Sequence, residues 1–259
     1  MSPPKVDPRV AKRRAQVRAD ATRRRRRRLT TVAGIVVVVG ALVGLLVSPV
    51  MAVKRVQVSG AEHTSVASLL VATGLEHRGA PMISLDRFAL AQRAERLPWI
   101  EHAEVTRKWP NTVRIRVTER TALGVIGVPN GVAVVDGTGR VLATVKTPPD
   151  HTYAITLAPG DKVPGPGQTV KPAVLGAVRI LAALSKGLAA QVESVHRLAG
   201  SPPTYELTLH GPVTVRLGEA TGVQDKLAAA EAVLAAQHAP GTVIDVRVPQ
   251  SPAVTHTKP

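Results

Sequence analysis

The chain contains one long stretch without a charged residue, and this stretch constrains the fold more than any other feature. Residues 29–53, LTTVAGIVVVVGALVGLLVSPVMAV, are 25 residues that lie between Arg28 and Lys54. As a helix they would rise about 37 Å, which is enough to cross a hydrocarbon core about 30 Å thick with some tilt. We therefore predict one transmembrane helix at residues 29–53.

The segment before this helix is strongly basic. Residues 1–28 carry twelve Lys or Arg against two Asp, a net charge of +10 out of +16 for the whole chain. Because basic residues are retained in the cytoplasm, we predict a cytoplasmic tail at residues 1–28, a single-pass type II topology and export of residues 54–259. A cleaved signal peptide is the alternative, since Ala52 is a small residue near a possible cleavage point. The apolar stretch is longer than the usual signal-peptide core of about 7 to 15 residues, which favours the anchor.

The six consecutive arginines at residues 23–28 could also bind nucleic acid, because they would neutralise phosphates. The tail has no aromatic residue on which bases could stack, and attraction to anionic lipid headgroups explains the run of arginines more simply. We predict contact with the lipid bilayer and no nucleic-acid partner.

Within the span, Gly40 and Gly44 lie four residues apart, so we predict that they form a contact with another membrane helix.

Residues 54–123 have the pattern of a small domain with the order strand, helix, helix, strand, strand. The first helix is capped by Thr64 or Ser65 and ends at Gly74, which suits the left-handed residue after a helix. The second helix begins near Ser84 and ends before Pro98. This order predicts a three-stranded sheet with two helices on one face.

Side-chain patterns within this region predict its core. The second helix is expected to present Leu85, Phe88 and Ala91 as its apolar face. Alternation of Val113, Ile115 and Val117 with polar residues predicts a half-buried strand. Trp99 and Trp109 are expected to pack in the core or to cover a strand end.

Residues 124–248 predict a second α+β domain, in which a mostly antiparallel sheet is covered by two helices. The glycines of Asp136-Gly137-Thr138-Gly139-Arg140 suit a hairpin turn, and the third glycine and the following helix of a dinucleotide-binding motif are missing. The predicted strands are residues 132–135, 141–145, 192–198, 205–209, 213–217 and 242–248, and the predicted helices are residues 172–191 and 223–238. Residues 249–259 are predicted to be a C-terminal tail.

Two segments resemble a known family. LPWIEHAEVTRKWPNTVRIRVTER (residues 97–120) closely resembles the end of the POTRA domain of the bacterial cell-division proteins FtsQ and DivIB, and VKRVQVSGAEHTS (residues 53–65) resembles its beginning. The second domain is similar in element order to the β domain of the same family, most clearly at GTVIDVR (residues 241–247). The resemblance implies an α+β fold with a transmembrane helix, a POTRA domain (β-α-α-β-β) at residues 54–123 and a β domain at residues 124–248.

Catalytic motifs are not found. The chain has no cysteine, its eight histidines are scattered, and the densest polar cluster, Glu101-His102-x-Glu104, lies where alternate side chains point to opposite faces. The serine motifs of common acyl-transfer enzymes are absent except for Ser2 and Lys5 in the tail. We predict no catalytic residue, no cofactor and no metal site, although a fold can still bring two carboxylates together.

The resemblance implies a non-enzymatic scaffold of the divisome, enriched at the division septum, that links early cytoplasmic and late wall-synthesis proteins. Its implied partners are FtsB/DivIC-like and FtsL-like coiled-coil division proteins and other membrane proteins of the divisome. The positions that match the family's docking edge are Arg247, Val248, Ala253 and Val254. Pro249 and Pro252 interrupt this place, so protection of the edge against pairing is the alternative. The alternative function is an anchored or secreted POTRA module for protein translocation or assembly.

Overall fold

The structure is a computed structural model that describes residues 8–77, 79–211, 213–236 and 241–256, with side chains from residue 28 onward. The chain forms two compact units. The first contains the residues up to Gln57 together with His77–Asp86 and Thr106–Arg114, and the second contains Val58–Glu76, Arg87–Val105 and the residues from Ile115 onward.

One continuous helix, α1 (Pro8–Val47), runs through the basic tail and the apolar segment. Its part from Arg28 to Val47 has a mean hydropathy of 2.6 and is long and apolar enough to cross a membrane. The helix ends six residues before the predicted end of the span, because Pro49 lacks an N–H donor and holds Ser48 in an extended conformation. Ala52 and Val53 are buried in the first unit instead.

The predicted order strand, helix, helix, strand, strand is confirmed. The strands are β1 (Arg55–Ser59), β2 (Ile100–Lys108) and β3 (Thr112–Glu119), and the helices between them are α2 (Val66–Thr73) and α3 (Arg87–Glu95). The sheet has the order β1-β3-β2. Val113, Ile115 and Val117 are buried, as their alternation predicted.

The two helices differ in how well the sequence predicted them. Helix α2 is capped by Ser65, whose side chain accepts a hydrogen bond from the N–H of Ser68, and it ends at Gly74 with φ of 72°. Helix α3 begins at Arg87, three residues later than expected, after a 3-10 turn at Met82–Ser84. Its buried residues are Leu90 and Ala94, which lie one turn apart. The predicted apolar face is therefore wrong at Phe88, which is 76% exposed.

A nine-stranded sheet dominates the second unit. Its strands are β4 (Ala122–Val128), β5 (Gly131–Asp136), β6 (Val141–Val145), β7 (Tyr153–Thr156), β8 (Val192–Leu198), β9 (Thr204–Leu209), β10 (Val213–Gly218), β11 (Thr242–Asp245) and β12 (Ala253–His256). They are arranged in the order β12-β11-β10-β9-β8-β7-β4-β5-β6. The pairs β4/β7, β7/β8 and β10/β11 are parallel, and the other five are antiparallel, so the predicted mostly antiparallel sheet is confirmed.

Helices α4 (Pro172–Ala182), α5 (Lys186–Ala189) and α6 (Val223–Leu234) accompany this sheet. The predicted single helix at residues 172–191 is broken, because the side chain of Ser185 accepts from the N–H of Leu188 and begins a new helix. Residues of α4, α5 and α6 pack with the strands in one apolar core. In this core the hydroxyl of Tyr205 donates to the carbonyl of Ala173 at 2.6 Å. Gly176 leaves room for that ring, since a Cβ there would lie 2.1 Å from the hydroxyl oxygen.

Candidate partner-binding edge

Strand β12 is the outermost strand at one edge of the nine-stranded sheet. It pairs antiparallel with β11, so that Ala253 lies opposite Asp245, Val254 opposite Ile244 and His256 opposite Thr242. All four residues of β12 are exposed. Because β12 has a neighbouring strand on one side only among the residues that the structure describes, its outward backbone N–H and C=O groups can pair with an added strand.

The prolines near this edge lie in the turn between β11 and β12. The predicted strand at residues 242–248 ends at Asp245, and Val246 then donates its N–H to the carbonyl of Arg216 at 3.0 Å. Pro249 and Pro252 come after this point and before Ala253, where β12 begins. The prolines thus interrupt a continuous strand, as expected, and a separate strand, β12, follows them. Protection of the edge by these prolines stays a prediction.

Arg247 lies at the start of this turn and is anchored to Asp245. Its guanidinium approaches the Asp245 carboxylate at 2.7 Å, and its backbone N–H donates to the same carboxylate at 3.1 Å. The Arg247 side chain is still 66% exposed. The hydrogen bonds that Arg247 donates hold the pKa of Asp245 below its ordinary value, because they outweigh the effect of the burial of Asp245.

A shallow cavity of about 200 Å³ lies beside Arg247. Its lining includes Arg216, Glu206 and Leu198, and Arg216 Nε contacts Glu206 Oε1 at 3.0 Å. The methylene groups of Arg247 lie over Gly218 at the end of β10, where a Cβ would be 3.0 Å from Arg247 Cγ. Two guanidiniums thus line one cavity, each already paired with a carboxylate of the same chain.

The structure places the four predicted docking residues at one corner of the sheet. Arg247 and Val248 follow β11, and Ala253 and Val254 pair with the end of β11 on β12. Val248 is 58% exposed and Val254 is 41% exposed. Sequence reasoning did not identify β12 as a strand, although the β-branched pair Val254-Thr255, two residues after Pro252, was a signal for one.

The predicted membrane-helix contact lies elsewhere, in α1. Gly40 and Gly44 stand one turn apart, and a Cβ added at either would meet no atom within 4 Å. Both therefore leave open backbone on the helix surface, as a close helix partner requires. The contact itself remains a prediction.

A second cavity, of about 570 Å³, has a lining that includes His63, Trp99 and Glu119. The His63 ring stacks on the Trp99 ring with centroids 4.1 Å apart. The Glu119 carboxylate accepts the backbone N–H groups of His63 and Thr64 at 2.8 Å each. Burial alone would raise the pKa of Glu119, but these hydrogen bonds outweigh it and hold the pKa below its ordinary value.

Polar side chains outside the edge contact one another in the part of the chain that the structure describes. His102 Nδ1 contacts Glu95 at 3.0 Å, and Glu104 pairs with Arg116 at 3.1 Å. Among the described residues, no group of three His, Cys, Asp or Glu could hold a metal ion. His102 and Glu104 are thus each engaged with a neighbouring side chain rather than assembled into one site.

Two family models match the chain. Residues 51–120 match the POTRA domain of FtsQ type, and residues 124–247 match the C-terminal domain of the cell division protein FtsQ/DivIB. The second match ends at Arg247, so the strand β12 lies beyond it.

Known relatives agree with these matches. The chain is 31% identical to the cell division protein FtsQ of Mycolicibacterium smegmatis over 85% of this chain and 62% of that protein. It is 30% identical to FtsQ of Streptomyces collinus over 91% of this chain and 90% of that protein. The chain spans 62% and 59% of the lengths of the first two curated relatives that it matches.

One solved structure is also similar. The extracytoplasmic domain of DivIB from Geobacillus stearothermophilus is 18% identical, with a TM-score of 0.34, over 46% of this chain and 95% of that chain. This likeness adds nothing to the family assignment, which depends on the two family models and the relatives.

Proposed function

The chain belongs to the FtsQ/DivIB family of cell division proteins, and we propose that it is a non-enzymatic divisome scaffold that links early cytoplasmic division proteins to late septal wall-synthesis proteins. The observation that carries this proposal is the exposed edge strand β12 beside Arg247. A scaffold needs surfaces that other proteins can bind, and an open strand edge is one of the common forms of such a surface.

The proposed partner at this edge is an extended segment of an FtsB/DivIC-like or FtsL-like coiled-coil protein. Such a segment would add as a tenth strand beside β12 and would form backbone hydrogen bonds with its outward groups. The exposed side chains of Ala253 and Val254 would contribute apolar contacts on alternate faces of the new strand pair. Backbone pairing would supply affinity, and the side chains next to the edge would supply selectivity.

Arg247 and Val248 are the proposed selective elements. Arg247 already holds Asp245 and stays 66% exposed, so one side of its planar guanidinium is available to a second carboxylate. Val248 is exposed next to it and offers an apolar contact. A partner segment with an acidic residue close to an apolar residue would match this pair.

The scaffold is proposed to cross the cell membrane once through α1, with the basic tail in the cytoplasm and the two folded regions outside it. Gly40 and Gly44 would contact the membrane helix of another divisome protein. Several weak contacts on one tethered chain raise the effective concentration of partners at the septum, so that the assembly as a whole is stable.

Localisation in dividing cells tests this role. A fluorescent fusion of the full chain is expected at midcell in cells that are constricting. A signal that covers the whole cell periphery would contradict the divisome role and would favour the second candidate, an anchored POTRA module that serves protein translocation or assembly.

A further inference from the structure

The turn between β2 and β3 presents an exposed aromatic side chain. Trp109, the first residue after Lys108 at the end of β2, is 50% exposed, and the expectation that it packs in the core is wrong. An indole of this size in a turn leaves a large apolar surface in water unless something covers it. Trp109 and the chain that follows α1, residues 48–57, belong to the first unit.

Hydrogen bonds fix this turn against the chain that leaves the membrane helix. The backbone N–H groups of Lys54 and Arg55 donate to the carbonyl of Asn111 in the turn at 2.9 and 3.2 Å. Lys54 is seven residues after Val47, where α1 ends. A fully extended chain of seven residues spans at most about 25 Å, and the 3-10 turn at Pro49–Met51 shortens it. The Trp109 turn is thereby held close to the end of the membrane-crossing helix.

A second set of contacts braces the same region. The N–H of Val53 donates to the carbonyl of Ala80 at 2.9 Å, and the Arg107 guanidinium donates to the carbonyls of Ile83 and Leu85. The turn that contains Ile83 also contacts α1. The short connection after α1 is therefore built into the fold rather than a free linker.

The exposed residues of this region have the chemistry of a membrane interface. Apart from Trp109, the exposed apolar side chains next to the helix end are Val50 and Ile83. Lys54, Arg55 and Lys108 are exposed as well. The described part of the first unit outside α1 contains one acidic residue, Asp86, and five basic residues. The basic residues are Lys54, Arg55, Arg107, Lys108 and Arg114.

We propose that the β2–β3 turn is a second membrane anchor, which inserts the Trp109 indole into the headgroup region of the outer leaflet of the bilayer that α1 crosses. Tryptophan is enriched at this depth because its ring is apolar while its N–H can still reach water or a headgroup. Lys54, Arg55 and Lys108 contact the phosphates of anionic lipids. The anchor holds the first unit in one orientation on the membrane, and it depends on the proposed insertion of α1.

Tryptophan fluorescence tests the anchor in the full-length protein. The protein is reconstituted into vesicles of phosphatidylcholine and phosphatidylglycerol in which a fraction of the phosphatidylcholine carries bromine near the top of its acyl chains, because bromine quenches an indole at the same depth. The chain has two tryptophans, so Trp99→Phe leaves Trp109 as the sole emitter and Trp109→Phe leaves Trp99. We expect strong quenching in the wild type and in Trp99→Phe, and loss of most of it in Trp109→Phe.

The outcomes separate this inference from the proposed function. Flotation of the protein with vesicles after carbonate washing reports the insertion of α1, and loss of flotation would overturn both proposals. Normal flotation with equal quenching in the wild type and Trp109→Phe would overturn the second anchor alone, as would free access of aqueous iodide to Trp109. The wild type and Trp109→Phe suffice for this comparison if Trp99→Phe fails to fold.

The double substitution Lys54→Glu and Lys108→Glu is expected to weaken the quenching of Trp109 in vesicles that contain phosphatidylglycerol, and no change would contradict the role of anionic lipids.

Discussion

Arg120 and Asp136 form a buried salt bridge, with Arg120 Nη1 2.8 Å from Asp136 Oδ2 and the two side chains 17% and 5% exposed. The second oxygen of Asp136 accepts from the backbone N–H groups of Thr138 and Arg140 at 2.9 and 2.8 Å. Arg120 also donates its own N–H to the carbonyl of Trp99 at 2.8 Å. Asp136 thus connects Arg120, the residue after β3, to the turn between β5 and β6.

Replacing Asp136 with Asn is expected to lower the free energy of unfolding by about 3 kcal/mol, because the Arg120 guanidinium would stay buried without a charged partner. Chemical denaturation of the purified protein followed by circular dichroism measures this. Glu104→Gln is the control, since it breaks an exposed pair with Arg116 whose side chains are 53% and 62% exposed. Its effect is expected to stay below about 1 kcal/mol. Equal effects of the two substitutions would contradict the structural role of the buried pair.

Acid is expected to destabilise the protein through Glu119. Hydrogen bonds from His63 and Thr64 hold the pKa of Glu119 below its ordinary value of 4.5 despite its burial, so the unfolded chain takes up the proton first as the pH falls. Its contribution is therefore complete above pH 4.5 and is lost as the pH falls through the lower folded-state pKa. Glu119→Gln should melt at a lower temperature than the wild type at pH 7, and this difference should shrink between pH 5 and pH 3. A constant difference across that range would rule out this linkage.

The two tryptophans are expected to differ in their contribution to stability. Trp99 stacks on His63 and packs against the cluster of Val125, Val134 and Leu142, whereas Trp109 is half exposed. In detergent, Trp99→Ala is expected to lower the free energy of unfolding by about 3 kcal/mol and Trp109→Ala by less than about 1 kcal/mol. Denaturation curves of both variants measure this. A loss at Trp109 as large as at Trp99 would mean that the turn packs in the core after all.

Docking at the β12 edge is expected to depend on Arg247 and Val254. Arg247→Glu would repel Asp245 and a partner carboxylate, and Val254→Lys would place a charge on the edge strand without disturbing the core, since Val254 is 41% exposed. Pulldown of the FtsB/DivIC-like and FtsL-like proteins with the full chain measures partner capture, which should fall in both variants. Arg116→Glu is the control, because Arg116 is also an exposed arginine paired with one carboxylate. Unchanged capture by Arg247→Glu and Val254→Lys would exclude this edge.

The parts of the fold that local sequence patterns determine were predicted well. Alternation predicted the burial of Val113, Ile115 and Val117, and the glycine after α2 predicted its left-handed end at Gly74. Both features depend on neighbours within a few residues. The same holds for the charge-free segment, whose helix is present but ends at Val47 because of Pro49.

The parts that depend on distant contacts were missed. Asp136 was interpreted only as part of a hairpin turn, because nothing local indicates that Arg120 lies 2.8 Å away. Trp109 was expected in the core, since an aromatic residue in a motif usually packs, and only the position of its turn leaves it exposed. Strand β12 was missed because Pro249 and Pro252 oppose a continuous strand, while a chain reversal at the same prolines permits a new one.

Photocrosslinking in dividing cells tests the proposed docking edge most directly. In the full-length protein, a photoreactive amino acid is placed at Val254 on β12, which is 41% exposed, and at Val71 on α2, which is 62% exposed, as a control away from the edge. We expect irradiation to join position 254, and not position 71, to an FtsB/DivIC-like or FtsL-like protein in cells that are constricting. The absence of such a product at position 254, or the same products at both positions, would contradict a scaffold that binds its partners through this strand.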